Sequence, residues 1–253
     1  MKQQKGLRPL WAFCVLFIFQ ILIGQASTKK QAEPPDASHS SKKSSDSSKA
    51  VDHVKLKDEI GKFVPTFYRI LDEDSTEWPA EPATVGLDSC DGEYIASVSR
   101  TFKHHLDIEG SGRLHGGHIV NSGGTHDGES CWLEPSKAPF GLGEDGNGLI
   151  PYRSLAVDPN VVKLGTVLYI PALDGIRLPS GEVHDGLVIA HDTGSAIIGY
   201  RIDVFVGFEN DVDNSLTQSG QIGNMEALSV YKVDDETADE IRHKFEGHLA
   251  VDQ

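Results

Sequence analysis

Short apolar, β-branched runs recur through the second half of the chain, each closed by Pro, Asp or Gly: "RSLAVDP", "TVLYIPAL", "LVIAHDTG", "YRIDVFVG" and "LSVYKV". Regular short strands of this kind predict a closed or nearly closed β-barrel. Beyond them, "DDETADEIRHKFEGHLA" carries its acids early and sets Ile241, Phe245 and Leu249 four apart, the pattern of an amphipathic C-terminal helix. Upstream, "HVKLKDEIGKFVPTFYRILDED" predicts a strand or two packed on the domain edge, and "WPAEPATVGLDSCDG" a loop. The stretch 94–113 alternates apolar and polar residues around "IASVS" and near "LDIEG", the period of half-buried strands. From 110 to 151 the glycine-heavy sequence predicts turns and long loops.

The first 26 residues follow a different pattern. Lys2, Lys5 and Arg8 precede the apolar run "LWAFCVLFIFQILIG" and the small residues around Gly24–Ala26, the layout of a secretory signal. An uncleaved membrane anchor is the alternative, although the run is short for a spanning helix. Residues 27–55 are rich in Ser, Lys and Asp and nearly devoid of apolar side chains, so they read as a disordered tether. The expected division is therefore a signal (1–26), a linker (27–55), an N-terminal extension packed on the barrel (56–93), the barrel (94–233) and a C-terminal helix (234–253).

The formal charge of −15 would become −18 without the three cations of the signal. That sign argues against a nucleic-acid binder. Of three cysteines, Cys14 falls in the signal, and Cys90 and Cys131 invite a disulfide in an oxidising compartment. His104, His105, His115, His118 and His126 crowd near Cys131, but a His-Gly-Gly-His on a flexible loop lacks helical metal-ligand spacing. They read as solvent-facing loop histidines, with no metal and no cofactor. Trp78 and Trp132 are candidates for stacking on sugar rings, though packing is the more frequent fate of Trp.

Asp158 in "LAVDP", Asp192 in "IAHDTG" and Asp203 in "RIDVF" each end a strand-like run or sit within one. "HDTGS" evokes an aspartic protease, but the chain has no second Asp-Thr/Ser-Gly loop, so such an enzyme would have to be a homodimer. Asp203, between Ile202 and Val204, has no turn to cap. A carboxyl emerging from an apolar run is poorly solvated, which raises its pKa and suits it to general-acid work.

The run "IPYRSLAVDPNVVKLGTVLYIP…DTGSAIIGYRIDVFVG…LSVYKV" resembles the 3D (three-aspartate) domain, the catalytic region of MltA-type membrane-bound lytic transglycosylases and related secreted proteins. The likeness spans 149–232, with a fainter extension back to about 94. It implies a mainly β fold, a six-stranded double-psi β-barrel with long Gly-rich loops and a C-terminal helix. It also implies a secreted, monomeric enzyme of the periplasm or cell envelope, with peptidoglycan strands as partner and a possible membrane tether. Such enzymes cleave the MurNAc-β-1,4-GlcNAc bond without water, the C6 hydroxyl closing a 1,6-anhydro ring, so one carboxyl serves as acid and then base. By match that residue is Asp203, with Asp192 supporting it and Asp158 holding the loops. Thr193 and Gly194 would form the turn, Tyr152 and Arg153 would line the groove, and Glu109 would reach the same cleft. Ser195, Ile198, Tyr200 and Lys163 depart from the family pattern, and a missing cation at 198 touches saccharide preference. No counterpart is evident to the second domain that walls the groove in longer relatives. A non-catalytic glycan-binding barrel is the competing reading, with the dimeric protease behind it.

Overall fold

The computed structural model describes residues 54–135, 137–223 and 225–249. The signal and nearly all of the tether lie outside them. Among the described residues no helix is long and apolar enough to cross a membrane.

In chain order the elements are β1 (Leu56–Tyr68), β2 (Leu71–Asp72), β3 (Val85–Asp88), β4 (Tyr94–Val98), α1 (Arg100–Glu109), β5 (Ser111–Arg113), β6 (Ile119–His126) and β7 (Glu129–Leu133). There follow β8 (Ser154–Val157), β9 (Val167–Tyr169), β10 (Leu187–Asp192), β11 (Arg201–Phe205), the short α2 (Ser215–Gln218), β12 (Leu228–Val233) and α3 (Asp235–Leu249). Six strands close on themselves in the order β1-β11-β8-β10-β9-β12. β1 is parallel to β11 and antiparallel to β12, and it completes the ring. Leu155, Val157, Val188, Ala190, Ile202, Val204 and Val230 fill its interior. The five apolar runs of the second half are the strands β8 to β12. Ile241 and Phe245 of α3 bury against Val167, Leu187 and Ile189 on the outside of β9 and β10.

The first half departs from its sequence pattern in three ways. Residues 56–68 are no edge extension: β1 is a full member of the barrel, its long polar start paired with β12 and its apolar end with β11. Residues 94–133 lie outside the ring, where β2-β5-β6-β7 form a second sheet and β3-β4 a hairpin. "LDIEG" is not a strand but the end of α1, which buries Phe102 and Leu106. Ser99 caps that helix through Phe102 N–H, and Gly110, at φ 76°, supplies the left-handed cap that turns the chain into β5. Alternation over five residues could not tell a short strand from one buried helix face.

The region 110–151, expected to be loops, thus carries β5, β6 and β7. Together with α1 these strands bury Leu71, Leu87, Val98, Phe102, Leu114, Val120 and Trp132 in a core of their own. A disulfide between Cys90 and Cys131 ties the turn after β3 to β7, with Cα atoms 4.8 Å apart. These residues make a second lobe beside the barrel, which the pattern of apolar positions did not announce.

Candidate active site

The site rests on one row of paired backbone positions. Thr66 of β1 pairs with Asp203 of β11, Asp203 with Ala156 of β8, and Ala156 with Asp192 of β10. Paired residues in neighbouring strands share a face. Since Ile202, Val204, Leu155 and Val157 point into the barrel, Asp203 and Ala156 point out of it.

Asp192 needs a special device to join them. Val188 and Ala190 face the interior, so a regular strand would send Asp192 inward too. A register break between Ala190 and Asp192 inserts His191 as an extra residue and turns Asp192 to the outer face. His191 is buried, its Nδ1 2.9 Å from Ser154 Oγ. Gly143 lies flat on this bulge, where a Cβ would collide with the His191 carbonyl. The closeness lets Glu144 N–H donate to Asp192 Oδ1 at 3.2 Å, beside Thr193 N–H at 2.8 Å.

A cleft of about 900 Å³ opens over this row. Its floor is Tyr68, Ala156, Asp192 and Asp203, and one rim is the loop 142–146 with Thr193 and Gly194. The second lobe forms the facing wall through residues 107–111, 121–124 and Leu133. Asn121 joins wall to rim: its amide takes Leu142 N–H at 3.1 Å and donates to the Leu142 carbonyl at 3.2 Å. A smaller recess of about 440 Å³, bordered by Arg201, Asp211 and Thr217, meets the cleft at Asp203. That carboxyl therefore borders both the cleft and the recess.

The electrostatics follow from burial. Asp203 is pushed up to about 6, chiefly because burial strips its solvent, with the Asp211 and Asp192 charges adding to the effect. Its Oδ1 has no hydrogen-bond partner. Asp192 is also raised by burial, against the pull of the Thr193 and Glu144 N–H groups. Glu109, at the end of α1, is raised by burial to about 7 despite a long contact with Arg69 N–H at 3.5 Å. Strand β8, which carries Ala156, lies between the two aspartates' strands and sets them about 10 Å apart. A residue with bulk there should fill the floor: Ala156→Leu is expected to cut activity at least tenfold while the protein still folds, read by cleavage assay and circular dichroism.

Asp203, Asp192, Thr193, Gly194 and Glu109 come together in this cleft. Two residues expected to line the groove, Tyr152 and Arg153, do not, and Asp158, expected to hold the loops, also lies outside it. Asp158 caps the turn after β8, accepting from Asn160 N–H at 2.9 Å and Gly199 N–H at 2.7 Å, bonds that hold it below the usual carboxylate range. It braces the loop after Asp192 rather than lining the cleft. Arg153 is buried elsewhere, ion-paired with Asp185 and Glu182 and donating to the Leu187 carbonyl. Tyr152 is buried beside the barrel core at φ 66°, its phenol held above the usual range by burial and by Glu209. Neither lines the groove. Trp132 is buried in the second lobe, and Trp78 donates to the Asp72 carbonyl while packing on Phe102 and His105. His104 and His105 are on α1, not in a loop. His115, His118 and His126 each lie beside carboxylates on the lobe surface. Among the described residues no group of three His, Cys, Asp or Glu is placed to hold a metal ion.

Sequence reasoning missed Tyr68, Ala156, Asn121 and Glu144. Only Tyr68 carried a signal: an aromatic with a polar tip ending an apolar run.

Residues 153–227 match the family model described as the 3D domain, which takes in β8 to β11 but neither β1 nor β12. No curated protein matches the chain. Among solved structures it is similar to MltA from Escherichia coli, at 16% identity over 69% of this chain and 72% of that one, with a TM-score of 0.42. The same Escherichia coli protein with bound chitohexaose aligns at 15% identity over 69% and 72%, with a TM-score of 0.45. A membrane-bound lytic murein transglycosylase from Agrobacterium tumefaciens aligns at 15% over 70% and 75%, with a TM-score of 0.43. Within this chain the likeness to the 3D domain lies at residues 153–227.

Proposed function

We propose that this chain is an exported cell-envelope enzyme that cleaves the MurNAc-β-1,4-GlcNAc bond of peptidoglycan without water, leaving a 1,6-anhydro end. The observation that carries the reading is Asp203: a half-buried carboxyl with an unpartnered oxygen, raised to about 6, bordering both the cleft and the smaller recess. It would protonate the leaving glycosidic oxygen and then accept the C6 proton as the ring closes. Asp192, held beside it by two backbone N–H groups, would face the oxocarbenium-like charge of the transition state. Solved structures to which the chain is similar include lytic transglycosylases, and the parallel β1/β11 and β8/β10 pairs within a six-membered ring are consistent with the double-psi form of barrel. Residues 1–26 would export the chain and residues 27–55 would space the enzyme from the membrane if the signal is retained.

Incubation of the protein with purified sacculi should release anhydro-muropeptides detectable by mass spectrometry. Binding to sacculi without those products would support the glycan-binding reading instead.

The raised carboxyls also fix a pH dependence. Cleavage needs Asp203 protonated, so its rate should fall about tenfold per pH unit above about 6, read from a pH–rate profile on solubilised strands. Stability moves the same way. Asp203 and Glu109 bind protons more tightly folded than unfolded, so the folded state loses stability as pH rises from about 4 through about 7. Glu109→Gln, which removes one of those ionisations, should raise Tm at pH 8 and leave it little changed at pH 4.

A further inference from the structure

We propose that Tyr68 is a further catalytic residue, its phenol O–H donating to an oxygen of the sugar on which Asp203 acts. Among the described residues, five buried side-chain N or O atoms lack a hydrogen-bond partner, and two of them, Tyr68 Oη and Asp203 Oδ1, line the same cleft. Buried polar atoms are nearly always satisfied, and leaving one unpaired is destabilising. Two such atoms in one cleft point to a ligand that completes them, with a phenol to donate and a carboxyl to exchange a proton.

Tyr68 is built to hold that position. It ends β1, two residues beyond Thr66, the partner of Asp203 in the row beneath the cleft. Its ring packs on Phe205 at a centroid distance of 5.1 Å and a tilt of 49°, and Phe205 is fully buried. The hydroxyl comes close enough to the Asp192 carboxyl to lower that acid, yet it meets neither Asp192 nor Asp203 in hydrogen-bond geometry, so its proton stays available to a ligand. Burial, followed by those two negative charges, keeps the phenol protonated far above neutral pH, so it is a donor throughout the working range.

The inference rests on the saccharide-cleaving reading, and Tyr68→Phe tests it separately because the ring is kept and only the unpaired oxygen is removed. The expected result is a fall of about 10- to 100-fold in kcat with Tm equal to or above that of the native protein. Activity within twofold of native would overturn the inference and leave Tyr68 as packing. A fall in activity accompanied by a Tm loss of several degrees would also overturn it, since the hydroxyl would then be structural. Should the native protein cleave nothing, calorimetric binding of chitohexaose replaces the rate: Tyr68→Phe should weaken it at least fivefold, and unchanged affinity overturns the inference. A native protein that neither cleaves nor binds glycan overturns the saccharide reading itself, and this inference with it.

Discussion

Replacing Asp203 with Asn should lower sugar-bond cleavage about a thousand-fold while the protein remains folded and, at pH 8, becomes more stable. The amide has the shape of the acid but cannot give up a proton to a glycosidic oxygen, and general-acid catalysis contributes roughly 10²–10⁴. The stability gain follows from the same burial. The carboxylate form of Asp203 is poorly solvated and faces Asp192 and Asp211, whereas a neutral amide carries no charge to desolvate. Rate and stability moving in opposite directions is the mark of a group held in place for chemistry. A residue that merely capped a turn would show the reverse, as Asp158 should: with Gly199 and Asn160 N–H left unpaired, Asp158→Ala loses stability.

Removing the disulfide, as Cys90→Ser with Cys131→Ser, should cost about 4 kcal/mol by chain entropy for a loop of 41 residues. The loss belongs to the second lobe. Its core is small, with Trp132 and Phe102 its largest members, and the bond joins the β3–β4 hairpin to β7 across it. That lobe carries Glu109 and Asn121, so its loosening should weaken activity even though the barrel and its aspartates are untouched. Thermal unfolding monitored with and without reductant checks the stability, and hydrogen exchange should localise the loss to residues 71–133. Protection lost equally across β8 to β11 would contradict this division.

The barrel was legible from sequence where burial is two-sided. β8 and β10 read as near-continuous apolar runs, and Asp203 stood out because a carboxyl in such a run has no turn to serve. Two kinds of information were hidden. The bulge at His191 is invisible in "VIAHDTG", so the sequence could place Asp192 near a strand end but not on the outer face with Asp203. The second wall was also hidden, because β5 to β7 are rich in Gly and Ser and their apolar residues are widely spaced. Glycine there serves close packing as well as turns: a Cβ on Gly112 would meet Leu106 and Phe102 of α1. Arg153 and Tyr152 were misassigned for a related reason. They lie next to β8 in sequence, but the chain there turns at Tyr152 with φ 66° and sends Arg153 to Asp185 instead of the cleft.

The titration of the Asp203 carboxyl, followed by carbon NMR on selectively labelled protein with Asp203→Asn to assign the signal, addresses the acid directly. A midpoint near 6 is the result expected of a desolvated proton donor in a cleft. A midpoint near 3.8, the value of an aspartate in open water, would mean that residue 203 is already charged at working pH and cannot start the reaction.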